Sequence, residues 1–121
     1  MSDQKKSLLV VEDDPDIRET IKDIASLDGF QVLQASHGKE ALEIIEQAEV
    51  LPGLILLDLM MPVMDGYRFL IEYEKSAKFG IPVVVVSAAK KENLSHVIEF
   101  IEKPANARQL LNIIKKYCGE S

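Results

Sequence analysis

The sequence predicts an α/β fold, a three-layer sandwich in which helices cover both faces of a five-stranded parallel sheet. Two observations carry this expectation. Short apolar runs alternate along the chain with stretches of helical period. The runs themselves, Leu8 to Val11, Leu54 to Leu57 and the four valines Val83 to Val86, are continuous, as strands buried on both faces require. At 121 residues the chain suits one domain, 1–121, with a full core.

The elements follow in order. Leu8 to Val11 is strand one, and it runs into Glu12-Asp13-Asp14. Asp14-Pro15 is an N-cap and first-turn pair for a helix carrying Ile17, Ile21 and Ile24, closed by Asp28-Gly29. Phe30 to Ala35 reads as strand two. Gly38 to Ala48 is a second helix with Ala41, Leu42 and Ile45 inward. Gly53 to Asp58 is strand three, and Asp65 caps a third helix to about Ala77 with Phe69, Leu70 and Tyr73 inward. Pro82 to Val86 is strand four, ending at Ser87. Ile98 to Glu102 is strand five, ending at Lys103-Pro104. Asn106 caps a last helix carrying Leu110, Ile113, Ile114 and Tyr117.

Composition narrows the function. A net charge of −6 argues against a nucleic-acid surface. The pairs Lys5-Lys6, Lys90-Lys91 and Lys115-Lys116 read as solvated faces. One cysteine, Cys118, excludes a disulfide framework and reads as inert packing. His37 and His96 have no ligand partner at metal-binding spacing. No apolar run approaches the ~20 residues of a membrane span, and Met1 to Lys6 lacks a signal-peptide core. A soluble, cytoplasmic protein without membrane or nucleic-acid partners is expected.

Five polar groups end separate apolar runs: Glu12 and Asp13 after strand one, Asp58 after strand three, Ser87 after strand four and Lys103 after strand five. Open α/β sheets place their ligands at these carboxyl ends. Three clustered carboxylates repel, by ~4 kcal/mol for unit charges 4 Å apart at an effective dielectric of 20. One would tend to hold a proton, or a hard cation would relieve the conflict. Carboxylates, a backbone carbonyl and waters suit octahedral Mg²⁺, which usually binds together with substrate phosphates. Lys103 is a point charge for a phosphoryl group, and the Ser87 hydroxyl can donate to its oxygen. Asp58 is then the natural nucleophile.

The runs Leu-Leu-Val-Val-Glu-Asp-Asp-Pro and Leu-Leu-Asp-Leu-Met-Met-Pro-Val-Met-Asp-Gly, with the pairs Ser87-Ala88 and Lys103-Pro104, resemble the receiver domain of two-component response regulators. The resemblance spans nearly the whole chain. It implies a flavodoxin-like sheet in the order 2-1-3-4-5. It implies that Asp58 accepts a phosphoryl group from a phosphohistidine on a sensor histidine kinase or histidine phosphotransfer protein. Glu12, Asp13, Asp58 and the Met60 carbonyl would hold Mg²⁺, or Mn²⁺ in its place. Ser87 and Lys103 would bind phosphoryl oxygens, and Ser87 with Phe100 would form the switch. Ile17 and Pro104 would be partly exposed apolar contacts for the phosphodonor. Such a domain catalyses its own phosphorylation and dephosphorylation without turning over an external substrate.

Rival readings fare worse. A flavin or nucleotide binder wants a phosphate-cradling loop after strand one, where this chain has Glu-Asp-Asp-Pro-Asp. A haloacid-dehalogenase-type phosphatase wants an acid two residues past the nucleophile, where this chain has Met60. A degenerate, docking-only receiver would lack some of the five groups.

The chain departs from the family in one place. Ser87 and Lys103 lie 16 positions apart (103 − 87), shorter than the family spacing by more than a helical turn. The fourth helix, within Ala88 to Val97, should therefore be a turn or two or an irregular loop. Dimerisation through it should be weak, so a monomer is expected. The short tail after the last helix fits a stand-alone regulator without an output domain, acting on a downstream protein, or a domain excised from a longer protein; the first is expected.

Overall fold

The computed structural model describes residues 6–119 of the chain. Lys5 and the rest of the first five residues, part of the stretch read above for a signal peptide, lie outside the described residues. The elements run β1 (Leu8–Val11), α1 (Pro15–Leu27), β2 (Val32–Ala35), α2 (Gly38–Gln47), β3 (Leu54–Leu57), α3 (Gly66–Glu74), β4 (Val83–Ser87), β5 (Val97–Glu102) and α4 (Ala107–Cys118). The five strands form one parallel sheet in the order β2-β1-β3-β4-β5.

The apolar runs go where their composition sends them. β1, β3 and β4 are buried along their whole length. Alternate residues feed two separate apolar layers. Leu8, Val10, Leu54, Leu56, Val84 and Ile101 pack with Ile21 and Ala25 of α1 and Leu110, Ile113 and Ile114 of α4. Leu9, Val11, Ile55, Leu57, Val83, Val85 and Phe100 pack with Ala41 and Ile45 of α2 and Phe69 and Tyr73 of α3. Ile17, Ile24, Leu42, Leu70 and Tyr117, expected inward, are only partly buried at the margins of these layers.

The helix starts obey their caps. Asp14 accepts the N–H groups of Asp16 and Ile17, Asp65 that of Arg68, and Asn106 that of Gln109. The Nδ1 of His37 caps α2 by accepting from the Glu40 N–H at 3.2 Å. Gly29, at φ 81°, closes α1 with its N–H on the Ser26 carbonyl.

α3 stops at Glu74, three residues short of the expected Ala77. The cause is tertiary. Ser76 Oγ donates to Glu46 Oε2 at 2.7 Å, and Lys78 Nζ reaches the Glu46 and Ala48 carbonyls at 2.6 and 2.8 Å. The chain after Glu74 is thus drawn to the end of α2.

No helix forms between β4 and β5, as the short spacing predicts. Residues 88–96 are irregular and are held by discrete contacts. Tyr67 Oη donates to Glu92 Oε2 at 2.6 Å, the Lys91 N–H donates to Glu102 Oε2 at 2.8 Å, and His96 Nε2 lies 3.1 Å from Glu74 Oε2. Ala89 and Leu94 are the segment's apolar contacts with the core. Pairing between β4 and β5 skips Ile98, so β5 enters the sheet through a bulge.

Cys118 is buried, and its Sγ donates to the Ser7 carbonyl at 3.4 Å. Burial pushes the thiol up to about 11, which keeps it protonated and unreactive at neutral pH.

Candidate functional site

β1 and β3 are central neighbours paired Val11↔Leu57, so the residues after them emerge side by side. The Asp58 N–H donates to the Val11 carbonyl at 3.0 Å, and the Glu12 N–H to the Ala35 carbonyl at 3.0 Å. The sheet ladder thereby fixes the backbone of both acids. Glu12 is 3 % and Asp58 5 % exposed, while Asp13 faces solvent. Carboxylate oxygens of all three lie within 4.8 Å of one another.

Lys103, from the end of β5, reaches into this group. Its Nζ is 2.8 Å from Glu12 Oε1 and 3.4 Å from Asp58 Oδ2. The remaining acceptors are partly engaged: the Asp14 N–H donates to Glu12 Oε2 at 3.1 Å and the Met60 N–H to Asp58 Oδ1 at 3.3 Å. Burial raises the Glu12 carboxyl above its ordinary range, and the Asp58 charge adds to the rise; Lys103 offsets only part of it. Burial alone would lower Lys103, yet the hydrogen bond and charge of Glu12, with the charge of Asp58, leave it raised. The ammonium is therefore held charged between Glu12 and Asp58, and the acids of the cluster outnumber the ammonium that pairs with them.

That imbalance is what a divalent ion would correct. The donor set is all oxygen, offered by three carboxylates from two adjacent strand ends, which suits a hard cation such as Mg²⁺. It is the one such cluster of acids, His or Cys among the described residues. His37 is occupied as a helix cap and His96 by Glu74.

The other expected residues are placed as follows. Ser87 is fully buried at the end of β4, where its carbonyl accepts the Lys103 N–H at 2.8 Å. Its hydroxyl oxygen accepts the Ala89 N–H at 3.2 Å, the first contact of the irregular segment. Phe100 is 8 % exposed, packed in the layer that α2 and α3 cover. Met60 is exposed at the mouth of the crevice. Ile17 is half-buried and Pro104 exposed, and both line an apolar groove of about 560 Å³ between α1 and the start of α4.

A family model described as the response regulator receiver domain matches residues 8–115. The chain belongs to that family. Receiver domains bind Mg²⁺ at an acidic pocket, and Glu12, Asp13 and Asp58 form an acidic cluster here. Among curated relatives it is 34 % identical to the probable C4-dicarboxylate response regulator DctR of Bacillus subtilis over 97 % of this chain and 54 % of that protein. It is 39 % identical to the sensor histidine kinase TmoS of Ectopseudomonas mendocina over 90 % of this chain and 12 % of that protein. The chain thus spans about half the length of the first and a small part of the second. A CheY-like receiver domain protein from Methanospirillum hungatei superposes with a TM-score of 0.82 at 29 % identity, covering 93 % of each chain.

Two groups near the crevice were not singled out from the sequence. Arg18 of α1 donates from Nη1 to the Glu12 carbonyl at 2.7 Å. Glu40 of α2 accepts the Ser36 N–H at 2.6 Å and the Ser36 hydroxyl at 2.9 Å, which holds its carboxyl below the usual range. Neither bond carries a local sequence signal, since Arg18 reaches back across the helix start to a loop carbonyl and Glu40 turns to Ser36.

Proposed function

We propose that the chain is a working phosphoacceptor whose Asp58 takes a phosphoryl group and thereby alters protein contacts. The observation that supports this most is the buried Asp58 carboxylate, 3.4 Å from the Lys103 ammonium and within 4.8 Å of the Glu12 and Asp13 oxygens. An Asp58 oxygen attacks phosphorus as the bond to the donor breaks, and the leaving group departs with the electron pair and takes its proton from solvent. Lys103 neutralises charge on the phosphoryl oxygens, and Ser87 turns its hydroxyl from Ala89 to donate to one of them. When bound, Mg²⁺ supplies a second positive centre, held by Glu12, Asp13, Asp58 and the Met60 carbonyl. The direct test is incubation with acetyl phosphate and Mg²⁺ followed by intact mass. A single phosphoryl adduct is expected, and Asp58→Asn should show none.

Metal binding has its own readout. At free Mg²⁺ about tenfold above Kd, stabilisation should be ~1.4 kcal/mol. For a domain of this size that is a rise of roughly 3–6 °C in melting temperature. Glu12→Gln should lose most of that rise. In chelator it should melt higher than wild type at neutral pH. The sign follows from the raised Glu12 carboxyl: its contribution is fully present below the ordinary 4.5 and is lost as pH rises through the folded value. The advantage of the variant should therefore shrink as pH falls towards 4.5. An advantage that grows on acidification would refute the assignment.

The donor we assign is a phosphohistidine on a sensor kinase or phosphotransfer protein, docked over the groove that Ile17 and Pro104 line. The reading out passes through residues 88–96, since Ser87 Oγ holds the Ala89 N–H near their start. With no helix there to pair through, the domain acts as a monomer.

A further inference from the structure

Each candidate metal ligand on β1 depends on the peptide that carries it. The loop leaves the sheet at Glu12, whose N–H is the last bond to β2. α1 begins only three residues later, at Pro15. Between them stands Asp13, whose carboxylate faces solvent and has no apolar wall to fix it. A half-buried cation on α1 spans the gap. Arg18 Nη1 lies 2.7 Å from the Glu12 carbonyl and 3.5 Å from that of Asp13.

We propose that Arg18 is a positioning residue for the metal, its guanidinium clamping the Glu12 and Asp13 carbonyls so that both carboxylates stay turned towards Asp58. It touches no reacting atom. A charge-assisted bond of 2.7 Å is among the stronger kind, and it acts on the two consecutive peptides whose side chains the site needs. With both carbonyls held against α1, rotation of either peptide would break a bond to the guanidinium. The Asp14 N–H on Glu12 Oε2 closes the loop from the other side. Arg18 also lies near enough to Glu40 for its charge to help lower that carboxyl, which links the β1–α1 loop to the start of α2. Groups that orient metal ligands are commonly worth 10- to 100-fold in affinity.

The inference rests on the acidic cluster being a metal site, and the experiment separates the two. Mg²⁺ is titrated calorimetrically into the unphosphorylated domain, and melting is followed in chelator. Arg18→Met keeps the aliphatic stem and should weaken Mg²⁺ binding about tenfold or more. Its melting temperature in chelator should fall by only a few degrees, since the guanidinium is half-exposed and water can replace part of its bond to the carbonyl. Adduct formation from acetyl phosphate should recover at saturating Mg²⁺. Arg18→Lys, which keeps a cationic donor, should regain part of the affinity. Arg18→Gln provides a second uncharged variant, with the same weakening expected, should the Met variant fold poorly. Unchanged Mg²⁺ affinity in the uncharged variants would overturn the role of Arg18 alone. An equal loss in Arg18→Lys and Arg18→Met would overturn the clamp as described. A wild type that binds no Mg²⁺ would overturn the metal site, and the clamp with it.

Discussion

Lys103→Met should slow phosphorylation of Asp58 by acetyl phosphate roughly 100- to 1,000-fold, the usual cost of removing one preorganised group aimed at developing charge. Met keeps the length and the apolar stem, so the change isolates the ammonium. That ammonium is 20 % exposed at its side chain and sits 2.8 Å from Glu12 and 3.4 Å from Asp58. It already lies beside the proposed acceptor carboxylate, so only a short shift from Glu12 would bring it to a phosphoryl oxygen. Rates from intact mass at saturating Mg²⁺ provide the check, and a loss below tenfold would mean the metal alone handles the charge.

The same variant has a stability signature of its own. Removing one partner of a buried ion pair commonly costs ~3–5 kcal/mol, because the remaining charge is stranded. Here the stranded acid has an escape. Glu12 is already raised by burial, so it can take up a proton instead. The loss in chelator should therefore be full well above the Glu12 value and should shrink as pH falls through it. Denaturant unfolding at neutral and mildly acidic pH tests this. A loss that is independent of pH would show that Glu12 stays ionised without Lys103.

Much of this arrangement was legible in the sequence, and the reason is local. Continuous apolar runs mark strands buried on both faces, and each ends in the polar residue it delivers. Asp14, Asp65 and Asn106 are caps that act within three residues, so their side chains alone announce the helix starts. The short segment after β4, expected as a turn or two or an irregular loop, followed from a count of positions set against the family spacing. Sheet order also rested on the resemblance. Periodicity could give alternating strands and helices, but not the order β2-β1-β3-β4-β5. What escaped was long-range or depended on which way a side chain turned. Lys78 reaching carbonyls about thirty positions earlier shortens α3, and no local pattern encodes that reach. Glu92 bonding Tyr67, and Arg18 bonding backbone rather than an acid, likewise leave no trace in composition.

Gly66→Ala should destabilise the domain by about 2 kcal/mol, within the usual range for forcing a methyl into a filled space. The residue begins α3, where alanine is ordinarily the better helix former by up to ~1 kcal/mol. Packing reverses that preference. A Cβ built on Gly66 would stand 2.6 Å from the Asp58 carbonyl oxygen, 2.7 Å from Leu59 Cα and 3.0 Å from Leu59 Cδ2. The first two are backbone atoms, so no rotamer change can clear them. The Gly66 N–H also donates to the Leu59 carbonyl at 3.0 Å, which pins α3 against the chain leaving β3. Accommodating the methyl means parting the helix start from the backbone of Asp58 itself. A melting temperature lower by roughly 5–10 °C is expected. Phosphorylation should also fall beyond what unfolding explains, because a displacement of even half an ångström moves the acceptor oxygen relative to Lys103. The rate measured well below the transition, where the variant is folded, separates the two effects. A variant that melts with wild type would show that the helix start can retreat freely. One that melts early yet phosphorylates normally would show that Asp58 is held by β3 alone.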